Sequence, residues 1–401
     1  MLNAPPEHRY TLALLLALNA VSIVAMQFIV PAMPDLVSVF DTTPAAVQLT
    51  LTIFMLGYAV FQVAYGPLSD RYGRKGVLMA ATAVYTLGSF IGTIAPSIEI
   101  LILARLLQSV GAAAGFVLPP AVARDVYGDS AARAISWISI SAGIAALFAP
   151  YFGGLIHETI GWRWGMGFNG ALGVVMLLAC GLALAESHPV SLRRKVGLAG
   201  LARGYATLAG TPTFLGFVLA TAFVNGAFYA FFAGGTFVAI EILGLSPSEF
   251  GLLIVPVIAL FLPSAYLSVR LSERFGPVRV IALGTLVSFA GSLLLLGAAL
   301  GGAMSVELLL VASAFLGWGN GQVIPIATAS GVGLNPALAG TASAALGTAQ
   351  MGMGAVASLL FGLFHDGTPT AMAALMASMA LAALLSCALI AAGRRKLAPA
   401  A

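Results

Sequence analysis

The stretch Gly66-Pro67-Leu68-Ser69-Asp70-Arg71-Tyr72-Gly73-Arg74-Lys75 separates two long apolar runs that contain almost no charge. Its charged and polar side chains need water, whereas nothing in the flanking runs does. Such a turn is typical of a loop between two membrane-spanning helices. A weaker copy, Leu271-Ser272-Glu273-Arg274-Phe275-Gly276, occurs half a chain later and indicates an internal repeat.

The composition of the chain is that of an integral membrane protein. The 401 residues are 60% hydrophobic and 8% charged, with a mean hydropathy of +1.02, whereas soluble domains carry about 25% charged residues. Residues 10–30 form an apolar run long enough to be a retained first span. Cys180 and Cys387 both lie within apolar runs, which predicts no disulfide, no metal site and no redox role.

The placement of the basic residues predicts the orientation of the chain in the membrane. Lysine and arginine outnumber acidic residues by 18 to 14. If the spans alternate from a cytoplasmic N-terminus, every basic residue except Arg105 and Arg163 falls on the inner side. This bias follows the positive-inside rule and argues against nucleic-acid binding. Both termini are therefore expected in the cytoplasm.

The pattern of apolar runs predicts an all-α membrane protein with twelve spans in two six-helix halves. Only helices or closed barrels satisfy the backbone in lipid, and runs of this length exclude barrel strands. The predicted domains are residues 1–187, a basic cytoplasmic linker at 188–211 and residues 212–401. The predicted spans are 10–33, 46–67, 76–96, 100–120, 134–156, 164–185, 213–240, 250–270, 278–300, 306–330, 339–363 and 371–392.

The linker allows two interpretations. It carries Arg193, Arg194, Lys195 and Arg203, so it could form a basic amphipathic helix on the inner leaflet. A solvated linker that fixes the orientation of the chain is the alternative.

The two halves repeat each other in sequence. The two turns match at an offset of 203, and three further sets of residues match in order at offsets of 206 to 208: Gly111, Gly115 and Pro119 with Gly317, Gly321 and Pro325; Gly154-Leu155-Ile156-His157-Glu158 with Gly362-Leu363-Phe364-His365-Asp366; and Cys180 with Cys387. Two six-helix halves in parallel repeat are the architecture of major facilitator transporters, whose substrate site lies near the midplane between the halves.

The opening turn resembles the major facilitator signature, Gly-x-Leu-x-Asp-Arg-x-Gly-Arg-Lys, at every position. Nearly the whole chain further resembles the bicyclomycin and chloramphenicol resistance branch of the drug:proton antiporters. The segments that carry this resemblance are Pro31-Ala32-Met33-Pro34, Gln48-Leu49-Thr50, Arg105-Leu106-Leu107-Gln108, Ala123-Arg124-Asp125, Gly161-Trp162-Arg163, Ser246-Pro247 and Ala339-Gly340-Thr341-Ala342-Ser343. The resemblance implies a monomeric exporter of small molecules in a bacterial inner membrane. It would work by alternating access, be driven by a proton gradient, and need no ATP or other cofactor.

The resemblance assigns the turn the role of a conformational latch, formed by Gly66, Asp70, Arg71, Gly73, Arg74, Lys75 and Asp125. Gly66 and Gly73 would let helix ends approach closely and turn sharply. Asp70 would face the helix N-terminus near residues 338–340, and Arg74 would pair with Asp125. The alternative is an orientation signal, which explains the basic residues but not Asp70.

A set of small residues in the fifth span resembles the antiporter motif that bends and tightly packs this helix. Ala149 stands where the motif usually has glycine, and ordinary helix packing is the alternative explanation. The residues of this helix-bend motif are Gly143, Pro150, Gly153 and Gly154.

Arg105 lies within a span, a costly placement that indicates function. Amides and carbonyls are expected around it, with Gln108, Gln27 and Asn19 as candidates, unless the side chain extends toward the outer surface near Glu99. All but Glu99 are also substrate-binding candidates. As a set, the candidates suit a lipophilic, uncharged or weakly polar solute, although each one could equally hydrogen-bond a neighbouring helix. The remaining candidates are Gln62, Asn225, Tyr229, Trp318, Asn320 and Gln350.

Proton coupling is implied by the resemblance and not by the first span. Members of the branch often place an aspartate where Gln27 stands, and an amide cannot titrate. Coupling would then use a group at the rim, with Asp35, Glu241, His157 and His365 as candidates. A proton-independent facilitator or an importer of a small metabolite is the alternative.

Two other classes of protein are the alternatives to a transporter. An enzyme would need clustered catalytic or metal-binding groups, but the sequence contains no His-Glu-x-x-His, paired-Asp, Gly-x-Ser-x-Gly or Walker motif. No metal site is therefore predicted. A receptor or scaffold on the same fold would be distinguished by a flux assay.

Overall fold

The computed structural model describes residues 6–189, 191 and 198–397. This part of the chain is built of helices and contains no strand. Eleven continuous helical stretches within it are long and apolar enough to cross a membrane. One of them, Ile98–Ile160, contains two helices separated at Gly128–Ser130, so the stretches correspond to the twelve predicted spans. The predicted all-α membrane fold is confirmed.

The described helices divide into two compact units. Unit 1 consists of Met1–Thr42, Ile53–Val196 and Pro247–Gly251, and unit 2 of Thr43–Thr52, Gly197–Ser246 and Leu252–Ala401. Unit 1 thus includes Pro247–Gly251, the first residues of a helix that ends in unit 2. Unit 2 includes Thr43–Thr52, where a helix begins that continues in unit 1. The domain boundaries expected at residues 187 and 212 stay a prediction.

In unit 1, α4 packs against α5 and α7, and α1 packs against α5 and α6. Its helices are α1 (Pro6–Gln27), α2 (Met33–Val39), α3 (Pro44–Tyr72, of which the first residues belong to unit 2), α4 (Arg74–Thr93), α5 (Ile98–Tyr127), α6 (Ala131–Ile160) and α7 (Trp162–Ala183).

In unit 2, α9 is the central helix, since nearly all of its side chains are buried against α13, α14 and α15. A π-helical turn, Val238–Ile242, extends it. The helices of this unit are α8 (Leu198–Ala209), α9 (Pro212–Phe237), α10 (Pro247–Leu253, shared with unit 1), α11 (Val255–Phe275), α12 (Pro277–Leu300), α13 (Val306–Gly333), α14 (Ala339–Phe364) and α15 (Thr370–Leu397).

The part of the linker that the structure describes contains a helix. In α8, Leu208 packs with Phe214, Ala342 and Leu346 in one apolar cluster, while Arg203 is exposed. The described part of the linker thus forms a helix whose apolar face packs within unit 2, in line with the first of the two interpretations. Its position on the inner leaflet stays a prediction, and the predicted basic residues Arg193, Arg194 and Lys195 lie outside the described residues.

The sharp turn expected at Gly73 is confirmed, and the repeat reproduces it. Gly73 has φ 95° and ψ 152°, and Gly276 has φ 82° and ψ 153°. Residues that carry a Cβ rarely adopt such positive φ values. Each glycine therefore allows one helix to end and the next to begin after a single residue.

Two of the expected close approaches are absent from the described part of the chain. A Cβ added at Gly66 or at Gly143 would meet no atom within 4 Å, so neither residue is needed for packing there. Gly153 and Gly154 behave as expected, because a Cβ would lie 2.2 Å from the Phe28 carbonyl oxygen and 2.4 Å from that of Pro247. The close glycine contacts of this motif thus lie in the second half of α6.

Candidate latch and transport residues

Arg74, the first residue of α4, is the centre of a charged network. Its Nη1 lies 2.7 Å from Asp70 Oδ1, and its Nε donates to Asp125 Oδ2 at 3.0 Å. Nη1 also donates to the Ser69 hydroxyl. The Arg74 side chain is only 10% exposed, so its charge is less screened than that of a surface pair. The predicted pairing of Arg74 with Asp125 is confirmed.

Glu186 completes this network and was not predicted. Its carboxylate accepts hydrogen bonds from the backbone N–H groups of Arg74 at 2.8 Å and Lys75 at 3.3 Å. These are orphan donors at the start of α4, where the helix dipole favours an anion. Lys75 Nζ donates to the Gly181 carbonyl at 2.9 Å, which also ties α4 to the end of α7. The only sequence signal was an acid directly after the last apolar run of the first half.

Of the remaining latch contacts, Arg71 packs on an aromatic ring, and one contact expected of Asp70 is untested. The Arg71 guanidinium lies 5.0 Å from the centroid of the Tyr72 ring, at an exposed position. The contact expected between Asp70 and residues 338–340 stays a prediction.

Arg105 is fully buried within unit 1 and is held by carbonyl and amide oxygens. Its Nη1 donates to the Ala25 carbonyl and to Gln108 Oε1, both at 2.6 Å, and its Nη2 donates to the Met26 carbonyl at 3.3 Å. The guanidinium also lies 4.1 Å from the centroid of the Phe54 ring. The expected carbonyl and amide environment is confirmed, and the alternative of extension to the outer surface is wrong.

Two of the amides expected beside Arg105 are not its partners. Arginine can only donate hydrogen bonds, yet Gln27 Oε1 and Asn19 Oδ1 are buried without a hydrogen-bond partner. Both side chains are nevertheless almost fully buried, at 5% and 2% exposure. The carbonyls of α1 take the place that the sequence assigned to these amides.

Gln108 continues the network into two further helices. Its Nε2 donates to Ser89 Oγ at 2.8 Å, and Ser89 Oγ donates to the Tyr85 carbonyl at the same distance. The Tyr85 hydroxyl donates to Asn169 Oδ1 at 2.9 Å. Arg105 is thus connected through α5 and α4 to α7. Sequence reasoning missed Ser89, Tyr85 and Asn169, because each is an isolated polar residue in an apolar helix.

The substrate candidates of unit 2 form a looser set. Asn225 Nδ2 donates to the Gln350 carbonyl at 3.1 Å and so joins α9 to α14. Tyr229 is buried in α9, and the Trp318 carbonyl accepts a hydrogen bond from Ser264 at 2.6 Å. Asn320 is buried, with no hydrogen-bond partner for its Oδ1. Together with Gln62, a buried residue of α3 in unit 1, these residues stay candidates for contact with a substrate.

The rim groups differ strongly in their surroundings. His157 Nε2 lies 2.7 Å from Asp35 Oδ2, so α6 is joined to α2. The His365 ring instead lies 5.1 Å from the centroid of Phe237 and 5.0 Å from that of Phe361. Glu241 is exposed in the π-helical turn.

Asp366, which neighbours His365, is held as an ionised carboxylate. It accepts hydrogen bonds from the Thr368 hydroxyl at 2.6 Å and from the Thr368 backbone N–H at 3.0 Å. These two hydrogen bonds lower the pKa of Asp366, because they stabilise its charged form.

Metal-binding chemistry has no evident site among the described residues. No group of three or more His, Cys, Asp or Glu side chains there could hold a metal ion. Cys180 and Cys387 are both buried and not joined in a disulfide.

Comparison with known proteins defines the class. The model of the Major Facilitator Superfamily matches residues 15–358. The chain is 30% identical to multidrug resistance protein D of Escherichia coli, over 87% of each chain. It is 27% identical to a bicyclomycin resistance protein homolog of Haemophilus influenzae, over 87% of this chain and 89% of the relative. A chloramphenicol resistance protein of Pseudomonas aeruginosa is 29% identical, over 72% and 69%.

Solved structures agree on the fold. A peptide transporter in complex with sulfate superposes with a TM-score of 0.77 at 14% identity, covering 97% of this chain and 94% of that one. A bacterial homolog of the human lysosomal transporter Spinster gives 0.75 at 17% identity, covering 98% of both.

The chain belongs to the major facilitator superfamily. It is a multi-pass membrane transporter and not an enzyme. Within the superfamily it matches the branch that contains the bicyclomycin and chloramphenicol resistance proteins.

Proposed function

We propose that this transporter exports a lipophilic, uncharged or weakly polar compound across a bacterial inner membrane, in exchange for protons. The observation that carries the proposal is its 30% identity, over 87% of both chains, to a relative named for multidrug resistance. Relatives named for bicyclomycin and chloramphenicol resistance make these two compounds the first candidates.

The polar groups of the spans support a neutral substrate. Four buried amide oxygens, on Asn19, Gln27, Asn320 and Gln322, have no hydrogen-bond partner in the part of the chain that the structure describes. An unsatisfied buried acceptor is costly, so a ligand that donates a hydrogen bond to it gains affinity and specificity. Hydroxyl and amide groups of a neutral compound would supply such donors. A strongly cationic compound would instead require carboxylates.

The charged network around Arg74 supports alternating access. Asp70 and Asp125 lie on different helices, α3 and α5, and both contact the same guanidinium at the start of α4. A small movement of α3 relative to α5 would exchange one of these contacts for another partner. Such a network can hold either of two arrangements, as a transport cycle requires.

The proposal includes the remaining expectations. The proton gradient is the energy source. Neither ATP nor another cofactor takes part, and nucleic acid is not a partner. The protein is a monomer surrounded by lipid. Both termini are cytoplasmic. A proton-independent facilitator, or an importer of a small metabolite, is the second candidate. The amide Gln27 in α1, in place of a titratable acid, favours it.

Growth inhibition of a pump-deficient bacterium tests the proposal. The chain is produced from a plasmid, and inhibitory concentrations are measured for chloramphenicol, bicyclomycin and a panel of cationic dyes. We expect higher inhibitory concentrations for neutral compounds and little change for permanent cations. The same plasmid carrying Arg105→Ala is the control. If no inhibitory concentration changes although the protein is present in the membrane, drug export is wrong.

A further inference from the structure

His157 and Asp35 form a pair that the transport residues described above do not use. Asp35 lies in the first turn of α2, and His157 lies in the last turn of α6. Their atoms Nε2 and Oδ2 are 2.7 Å apart. Because an ionised carboxylate can only accept, Nε2 carries the donated proton and Nδ1 carries the lone pair in the neutral ring.

The two partners differ in exposure. The Asp35 side chain is 58% exposed, whereas that of His157 is 10% exposed. His157 Nδ1 is buried and has no hydrogen-bond partner. One side of the pair therefore meets the surface of unit 1, while an unoccupied basic nitrogen points into its interior.

A cavity inside unit 1 adjoins His157. It has a volume of about 10 Å³ and is lined by α1, α5, α6 and α7, with Arg105, Asn169 and His157 as its polar members. Typical ligand pockets measure about 300–1,000 Å³, so this cavity is too small for a drug-sized compound. A polar space of this size is about what one water molecule needs.

Charged groups lie near His157 on several of the helices that pack around it. Asp35 faces it from α2, and Arg105 lines the same cavity from α5. On α7, Arg163 is turned away, donating to the Ala95 carbonyl and stacking on Trp162.

The remaining charged groups lie at the surface. Glu158, the next residue of α6, accepts hydrogen bonds from the Ser248 backbone N–H at 2.6 Å and the Ser248 hydroxyl at 3.1 Å. Glu249 of α10 is exposed. Among the described residues, Asp35 and Arg105 are therefore the charged groups that face the imidazole.

We propose that the His157–Asp35 pair is the proton-binding site of this transporter, a proposal that rests on the proposed function. One proton binds Nδ1 of the neutral ring and leaves from the same nitrogen, with no other bond made or broken. Histidine is the side chain that ordinarily changes charge between pH 5 and 8. The protonated ring forms an ion pair with Asp35, and the neutral ring forms only a hydrogen bond. The link between α6 and α2 is thus stronger in the protonated state.

The packing of α6 makes such a link relevant to transport. Gly153, one turn before His157, lies directly against the Phe28 carbonyl, which follows the end of α1. The proton therefore acts where α6 and the α1–α2 segment are already in closest contact. Loss of the proton weakens the one charged link at this contact and lets the two helices separate.

Transport in proteoliposomes tests the proposal with chloramphenicol as the probe. Two rates are compared: exchange of labelled for unlabelled chloramphenicol without a gradient, and chloramphenicol movement under an imposed pH gradient. In His157→Gln and in Asp35→Asn we expect exchange to persist and the acceleration by the gradient to be lost. His365→Gln is the matched control from the repeat and should keep both. Gradient acceleration that is unchanged in His157→Gln, or loss of exchange in both variants, overturns the proposal.

A second measurement does not depend on the substrate. The chain contains four histidines, so the ring nitrogens can be followed by NMR in ¹⁵N-histidine-labelled protein, and His157→Gln identifies the signal. We expect the His157 ring to change between neutral and charged forms within pH 5–9. A ring that stays in one form overturns the proposal. If the unchanged chain does not move chloramphenicol at all, the proposed function fails for this compound, and the NMR result alone decides the proton site.

Discussion

The two repeated turns have the same backbone but different chemistry. Gly73 and Gly276 differ by 13° in φ and 1° in ψ. After Gly73 comes Arg74, whose backbone N–H bonds Glu186 and whose side chain contacts two carboxylates. After Gly276 comes Pro277, which has no N–H to be capped and suits the first position of a helix. The repeat thus preserves the turn but, among the described residues, not the charged network at its end.

The same difference recurs at the other matched segment. Gly154 and Gly362 each pack closely against the beginning of another helix. Gly154 lies against Pro247, and Gly362 lies against Gln48. The histidine that follows differs in partner, since His157 bonds a carboxylate and His365 packs against Phe237 and Phe361. Glycines that allow close packing are therefore common to both copies. Unit 1 contains the ion pairs Arg74–Asp70, Arg74–Asp125 and His157–Asp35, which indicates that unit 1 carries switching chemistry.

The largest expected effect is at Arg105. Its repeat counterpart, at the offset of Gly111 and Gly317, is Val311. Arg105→Ala leaves the Ala25 carbonyl and Gln108 Oε1 without their donor, at a cost of about 2–4 kcal/mol in the free energy of unfolding. We expect loss of transport and a lower thermal unfolding temperature in detergent, with Val311→Ala changing neither strongly. Wild-type transport by Arg105→Ala would show that the network is dispensable.

The next largest effect is expected when the two turn glycines are replaced by alanine. Gly73→Ala and Gly276→Ala each force a residue with a Cβ into positive φ, which costs about 1–2 kcal/mol. Since the backbones match, thermal unfolding should fall similarly in both variants. Transport should fall more in Gly73→Ala, because only this turn positions a charged network. Equal losses of transport at equal expression would mean that both turns serve the cycle alike.

A smaller effect is expected at Glu186. Glu186→Gln removes the negative charge at the start of α4 but retains an acceptor, which costs about 0.3–1 kcal/mol of stability. The control is Glu273→Gln in the second turn, where the side chain is exposed. Chloramphenicol efflux and thermal unfolding, measured in parallel, should both change slightly in Glu186→Gln and not in Glu273→Gln. A larger effect in Glu273→Gln than in Glu186→Gln would contradict the claim that the charged network belongs to the first turn.

Much of the fold was predictable because apolar runs, glycines and the repeat are local signals. They predicted the spans and the turn at Gly73, and the resemblance supplied the pairing of Arg74 with Asp125. The partners of isolated polar residues were not predictable in this way. Glu186 lies 112 positions from Arg74, and the carbonyls that hold Arg105 belong to a backbone that any sequence carries. Only the packing of helices shows which of these distant groups meet.

The most direct test of the asymmetry is reversal of the Arg74–Asp125 pair. Efflux is measured for Arg74→Asp, for Asp125→Arg and for the double variant, at matched expression. Each single change replaces an attractive pair, whose atoms lie 3.0 Å apart in the unchanged chain, with two like charges and should impair transport severely. The double variant restores opposite charges, so it should recover more activity than either single change. A double variant no better than the worse single one would contradict the claim that this pair acts as part of the latch.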